Sequence, residues 1–279
     1  MLNLISAECL KIIAKPRSYI GFAAITVIVG LIHLAMYLDG MNYISFITNP
    51  VQSTFVLEGN ILNGNLVCFI ILQTLIIQIP LLVALVTGDL VSGEAAMGTA
   101  RLLLTRPVSR TDLLMSKFAA GALYVFFLLV WLGLLSLGLG LALFGPGDLI
   151  VLKSEELTIL ASDDTLWRFM AALGIAFLSL LVVGALSLLL SCLSDNSIGP
   201  IITTMAVIIL FTIIGTMDIP LFDLIKPYLF TTHMIIWRNM FDQPLPLDQI
   251  RESLLILTAH LIGFLGASWW VFTRKDITS

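Results

Sequence analysis

Gly88 and Gly93 stand at the interval of a phosphate-binding glycine loop, but Glu94 sits where such a loop needs its lysine. Without that ammonium group the β- and γ-phosphates have no counter-charge, so the chain is not expected to hydrolyse ATP. No His-Glu-x-x-His pair exists, and His33, His233 and His260 are too scattered in sequence for a metal set. Serines are plentiful, yet none lies in a nucleophile elbow. Glu155-Glu156 is the one glutamate doublet, and Leu160 occupies the place where a Glu-Glu-x-x-x-Arg membrane protease carries its arginine. Neither a catalytic residue nor a bound metal or cofactor is expected.

The polar groups that remain lie inside apolar runs: Gln73, Thr74 and Gln78 in the second, His33 in the first and His260 in the last. Thr74 and Gln78 are one helical turn apart on one face, with Pro80 able to loosen the helix beside them. Polar side chains in lipid face a protein interior or a wet path, so these three are candidates either for a substrate path or for hydrogen bonds between helices. His33 and His260 both fall towards the outer side, where a contact between them is conceivable.

The elements that must position these groups follow from composition. Hydrophobic residues make up 59% of the 279 and charged residues only 11%, against roughly 25% charged in a soluble domain. One soluble core cannot hide that much apolar surface, whereas a bilayer can. A helix needs roughly 20 apolar residues to cross the hydrocarbon. Six runs qualify, at 19–38, 66–86, 118–144, 169–193, 198–217 and 253–273, and none contains Asp, Glu, Lys or Arg. Helices are expected because lipid offers backbone groups no partner. The fold class is therefore an all-α polytopic membrane protein, one transmembrane domain over 1–279. The first apolar run is too long for a cleavable signal and lacks a small-x-small exit. Cys9, Cys68 and Cys192 show no paired spacing, and no disulfide is expected.

Basic residues in short loops stay cytoplasmic. With both termini inside, the inner segments hold nine basic residues (Lys11, Lys15, Arg17, Arg101, Arg106, Arg110, Lys117, Arg274, Lys275) against six acidic ones, and the outer segments five against twelve. That asymmetry places both termini in the cytoplasm, and the chain is expected in the inner (plasma) membrane. It also argues against a seventh span at 219–241, which would bury Asp223, Lys226 and Arg238.

Three segments should not cross. Residues 2–14 read as an interfacial helix, with Leu2, Ile5, Leu10, Ile12 and Ile13 on one face and Glu8, Lys11 and Lys15 on another. It is either a brace for the first span or a basic leader that only sets topology. Residues 88–117 combine an expected helix over 89–104, a stop at Arg106-Pro107, and a capping box, Ser109-Arg110-Thr111-Asp112, before the third span. They form a rigid lever at the water boundary or a basic topogenic loop. Residues 218–250, with Pro220, Pro227, Pro244, Pro246, Tyr228 and Trp237, suit short helices in the outer interface or a plain loop. The acidic loop 145–166 reads as a solvated face. Gly133, Gly138 and Gly140 in the third span, with Gly174 and Gly184 in the fourth, allow close helix packing or a hinge.

The run Asp89, Gly93-Glu94, Gly98-Thr99, Leu102-Leu103-Leu104, Pro107, Ser109-Arg110 and Lys117 resembles the ABC-2 type transporter permease family, as does the ending Phe272-Thr273-Arg274-Lys275-Asp276-Ile277. The resemblance covers the whole chain and implies an ABC-2 type exporter fold. It implies a permease subunit that pairs with a second permease and docks a cytoplasmic ATP-binding cassette ATPase. ATP and magnesium would then sit on that partner, and Asp89, Glu94, Arg101 and Arg106 would lie in or beside the coupling helix. No nucleic-acid partner is expected. The competing classes are an ion-coupled secondary transporter, which should show carboxylates inside its spans, and an intramembrane enzyme, which lacks its residues here.

Overall fold

A computed structural model of the chain describes residues 1–52, 61–98, 108–152 and 157–275. Apolar runs bounded by proline, glycine and small caps have become helices. Helix α1 (Leu2–Ala14) ends where Lys15 turns extended ahead of Pro16, and α2 (Pro16–Gln52) follows with a break at Asp39 (φ −139°, ψ 18°). The second apolar run is two helices, α3 (Gly64–Leu75) and α4 (Ile79–Thr87), bent by 52°. A single turn, α5 (Ser92–Ala96), comes next. The third run, α6 (Arg110–Gly133), continues through a π-helical turn at Leu134–Leu139 to Phe144. Helices α7 (Ser162–Leu193), α8 (Ile198–Thr216) and α9 (Leu247–Arg274) complete the set. Between α8 and α9 lie short helical pieces at 220–223, 226–228, 230–234 and 236–241.

Among the described residues, five helices are long and apolar enough to cross a membrane, and the bent α3–α4 pair would make a sixth. Helix α7 is the hub. In its most apolar stretch 61% of residues are buried, against 11% in α8 and in α9, so α7 touches protein where the other two face outward. Two backbones cross where both carry glycine: a Cβ on Gly64 would lie 2.6 Å from the Gly140 carbonyl carbon. Asn63 caps α3 by accepting from the Leu66 N–H (3.0 Å), and its amide donates to the Asp148 carbonyl (2.8 Å). Asn65 donates to Gly147 (2.7 Å). These contacts join the start of α3 to the segment that follows Phe144. By contrast Gly138 and Gly174 face open space.

The acidic segment 145–166 is not merely a solvated loop. Strands β1 (Leu149–Leu152) and β2 (Leu157–Leu160) pair antiparallel, Leu149 opposite Leu160, so a two-stranded sheet stands beside the helices. Alternation puts Leu149, Val151 and Leu160 inward and Ile159 outward. Beside it, Arg168 is 5% exposed. It donates to Asp164 (2.8 Å) and to the carbonyls of Met240 (2.7 Å) and Asp242 (3.1 Å), tying α7 to the end of the short-helix segment. The two intramembrane histidines do not meet. His33 stacks on Phe144 (6.1 Å between centroids) and His260 packs on Phe230 and Phe264. Each Nδ1 lies 2.9 Å from the carbonyl one turn back.

Candidate functional site

Charge is concentrated where α1, α5 and the start of α6 converge, at the end of the bundle that carries most of the basic residues. Helix α4 stops at Thr87, and the chain turns through 88–91 packed against α7. A Cβ on Gly88 would lie 2.8 Å from the Ser187 hydroxyl. The Ser191 hydroxyl of α7 accepts from the N–H groups of Val91 (3.1 Å) and Ser92 (2.9 Å), supplying from a neighbouring helix the cap that α5 lacks. Gly93 is required because the Asp89 carboxylate sits over it, where any Cβ would collide.

The outcome is a closed ring of four side chains. Lys117 Nζ lies 2.9 Å from Glu8 and 2.7 Å from Glu94, and Lys11 Nζ lies 2.5 Å from Glu8 and 2.7 Å from Glu94. Beside it, Asp89 takes Lys15 at 2.6 Å and Arg17 at 2.8 Å. Lys117 is 1% exposed, Asp89 2% and Glu8 4%. Charges this deep persist only in compensated sets, since each unpaired ion would carry a heavy desolvation cost. The ring is formally neutral, and the Asp89 set adds one net positive charge.

The orientation of α1 follows. Its charged side faces the protein, and Leu2, Leu10 and Ile13 are exposed, turned towards where lipid would be. The Lys117 ammonium in the body creates a polar seat that Glu8 fills, while the apolar residues lose nothing by facing hydrocarbon.

Burial alone would raise the Glu8 pKa. The charge of Lys117, with hydrogen bonds from Lys11 and Lys117, reverses this and holds it below the ordinary value of 4.5. Burial works to lower the Lys11 pKa, and hydrogen bonds to Glu8 and Glu94 with their charges bring it above 10.5. A depressed Glu8 contributes docking energy that is present above 4.5 and lost as pH falls through its lowered value. A raised Lys11 contributes below 10.5 and ceases to as pH rises through its raised value. Helix α1 should therefore stay docked between those limits. Its amide hydrogens should exchange faster at about pH 3.5 than at about pH 7, after correction for intrinsic rates. Equal protection of residues 2–14 at both values would contradict this.

Asp89 and Glu94 are both turned inward, Asp89 onto Lys15 and Arg17 where α1 gives way to α2 and Glu94 onto Lys11 of α1 and Lys117 of α6. Arg101 and Arg106 lie outside the described residues. In the described part of the helix expected over 89–104, residues 89–91 are a turn, α5 ends at Ala96, and Gly98 takes a left-handed φ of +67°, so that part is not one continuous helix. Ser109 does cap α6, accepting from the Asp112 N–H at 3.0 Å. Gln73, Thr74 and Gln78 sit apart from the ring, exposed around the bend between α3 and α4.

Sequence reasoning missed Glu8, Lys11, Lys15, Arg17 and Lys117 as partners of the two carboxylates. The available signal was Lys117 itself, a lone cation at the edge of an apolar run with no acid one turn away. It also missed Arg110, whose guanidinium donates to the carbonyls of Thr273 (3.0 Å) and Lys275 (2.9 Å) at the end of α9. Lys275 in turn reaches the Cys192 carbonyl (3.2 Å) and Asp195 (2.7 Å) beyond α7. These contacts lace together the start of α6 and the ends of α7 and α9.

A bundle of long apolar helices, held at one end by compensated charge, defines a helical polytopic membrane protein. The chain belongs to the family described as protein of unknown function (DUF2705), whose model matches residues 21–278. Over 207 residues it is 27% identical to the uncharacterized membrane protein YdbK of Bacillus subtilis (strain 168), covering 72% of this chain and 78% of that one. Over 202 residues it is 26% identical to the uncharacterized protein YhcI of the same strain, covering 70% of this chain and 63% of that one. The family matched is not that of the ABC-2 type permeases, so the resemblance drawn from the 89–117 run and the chain ending is corrected. Internal packing accounts for much of that run: Gly93 makes room for Asp89, Glu94 and Lys117 pair, and Ser109 caps a helix.

Proposed function

We propose that this chain is the membrane-spanning subunit of an ATP-binding cassette transporter, working as an exporter with a separate cytoplasmic ATPase subunit and a second membrane subunit. In this reading α3 and α4 together form one bent span, which gives six. The basic end and both termini face the cytoplasm, and the protein resides in the inner (plasma) membrane. ATP and magnesium bind to the partner. Gln73, Thr74 and Gln78 lie on the substrate path.

The observation that carries the reading is the ring of Glu8, Lys11, Glu94 and Lys117. Force applied to the segment between α4 and α6 reaches the second span directly, the third through Lys117 and the first through α1, because buried ion pairs resist separation. Asp89 and Glu94 serve as the inner fastening of that segment, and Arg101 and Arg106 fall on the stretch left for contact with the motor. A soluble motor is needed because the chain has no phosphate-binding lysine beside Gly93.

The test is purification of the tagged chain from its native membrane, followed by reconstitution. A Walker-A-bearing ATPase should co-purify, and its ATP turnover should change on addition of the chain. ATP hydrolysis by the isolated chain, turnover indifferent to its presence, or a tag after Ser279 accessible only from outside the cell would each sink the reading.

A further inference from the structure

The bend in the second apolar run has chemistry of its own. Pro80 has no N–H to offer the carbonyl of Ile76, and the Leu81 N–H goes to Gln78 (3.1 Å) rather than to Ile77. The carbonyls of Ile76 and Ile77 therefore lose their helical donors midway along the run. Gln73, Thr74, Ile77, Gln78 and Leu81 are all exposed there, at spacings of three, four and one residues that keep them on one broad face. The Thr74 hydroxyl is already given to the Ile70 carbonyl (2.9 Å), which leaves the two amides as the free-standing hydrogen-bonding groups of the face.

Hydrocarbon does not tolerate this combination. Irregular backbone at membrane depth occurs where it is buried in protein or lines a water-filled cavity, and polar side chains at that depth follow the same rule. No other described part of the chain covers the face. It offers donors and acceptors together, as water requires, set between the apolar side chains of Ile77 and Leu81. The six apolar runs contain no Asp, Glu, Lys or Arg to balance an ion.

We infer that the bend at Ile76–Gln78 is a hydrogen-bonding site on a water-filled path, taking an uncharged polar group, an amide or a hydroxyl, of an amphiphilic molecule. The transport reading supplies only the idea that this molecule is cargo; the wet face stands on the bend and its amides.

The experiment introduces Gln73→Cys and Gln78→Cys singly, with Val27→Cys and Leu31→Cys as exposed positions on α2, in the full chain in lipid vesicles. The native cysteines stay in place, because peptide mass spectrometry assigns each modified site. The probe is a neutral hydroxyethyl methanethiosulfonate, with its trimethylammonium counterpart alongside. Thiolate is the reacting form and an apolar surrounding suppresses it, so both bend positions should react at least about tenfold faster than the α2 positions. The cationic reagent should lag behind the neutral one at the bend after correction for their rates on a free thiol.

Rates equal to those at Val27→Cys would overturn the proposal, as would protection joined with disulfide formation between copies, which would give the face to a second chain. Equal rates for the cationic and neutral reagents would overturn the restriction to uncharged groups. The labelling uses no ATPase, so its failure and failure of the proposed coupling are read separately.

Discussion

Lys117→Met is expected to destabilise the protein by about 3–5 kcal/mol, because it leaves Glu8 and Glu94 facing each other with only Lys11 between them. Methionine nearly matches the lysine stem in volume, so the loss reports charge rather than a cavity. Glu8→Gln together with Lys117→Met removes one charge of each sign and keeps the Lys11–Glu94 pair, so the double variant should recover more than half of that loss. Denaturant titration of the protein in mixed micelles reads both, and the cycle isolates the coupling. If the two losses simply add, Glu8 and Lys117 are not energetically coupled, and the ring is four independent contacts.

Arg168→Ala should be the next most costly change, at roughly 3 kcal/mol, because the buried carbonyl of Met240 and the part-buried one of Asp242 lose a charged donor together. Arg168→Lys should recover little, since one ammonium cannot reproduce a planar fork that reaches Asp164 and both carbonyls. The loss should appear as faster amide exchange across residues 236–246 before the bundle as a whole unfolds. Uniform loosening of all helices would show instead that Arg168 acts on the whole of α7.

The helices were legible because hydrocarbon leaves the sequence few choices. Charge-free runs long enough to cross must be helical, and Pro80 marked the bend while Ser109 marked a helix start. Charge was harder to read. An amphipathic pattern tells which residues share a face of α1 but not where that face points, and Lys117, far away in sequence, turned it inward. The expected 89–104 helix failed for a related reason. Propensity favoured it, but Ser191 on α7 holds residues 91 and 92 in a packed turn beside Ser187, and Gly98 takes a left-handed φ just past α5. The two-stranded sheet of 149–152 and 157–160 escaped notice because its strands are four residues each and flank charged residues. Gln73, Thr74 and Gln78 stood out in sequence as polar groups in an apolar run, but their outward exposure depends on neighbours that no local pattern encodes.

The Gly64–Gly140 crossing has a mechanical corollary. At that end α3 is pinned backbone to backbone, and at the other α4 runs into residues stapled by Ser191 and salted to α1 and α6. A strut fixed at both tips and notched at mid-height cannot slide or tilt as a whole. It can only flex at the notch, so any displacement at one membrane surface is converted into a change of curvature at Ile76–Gln78.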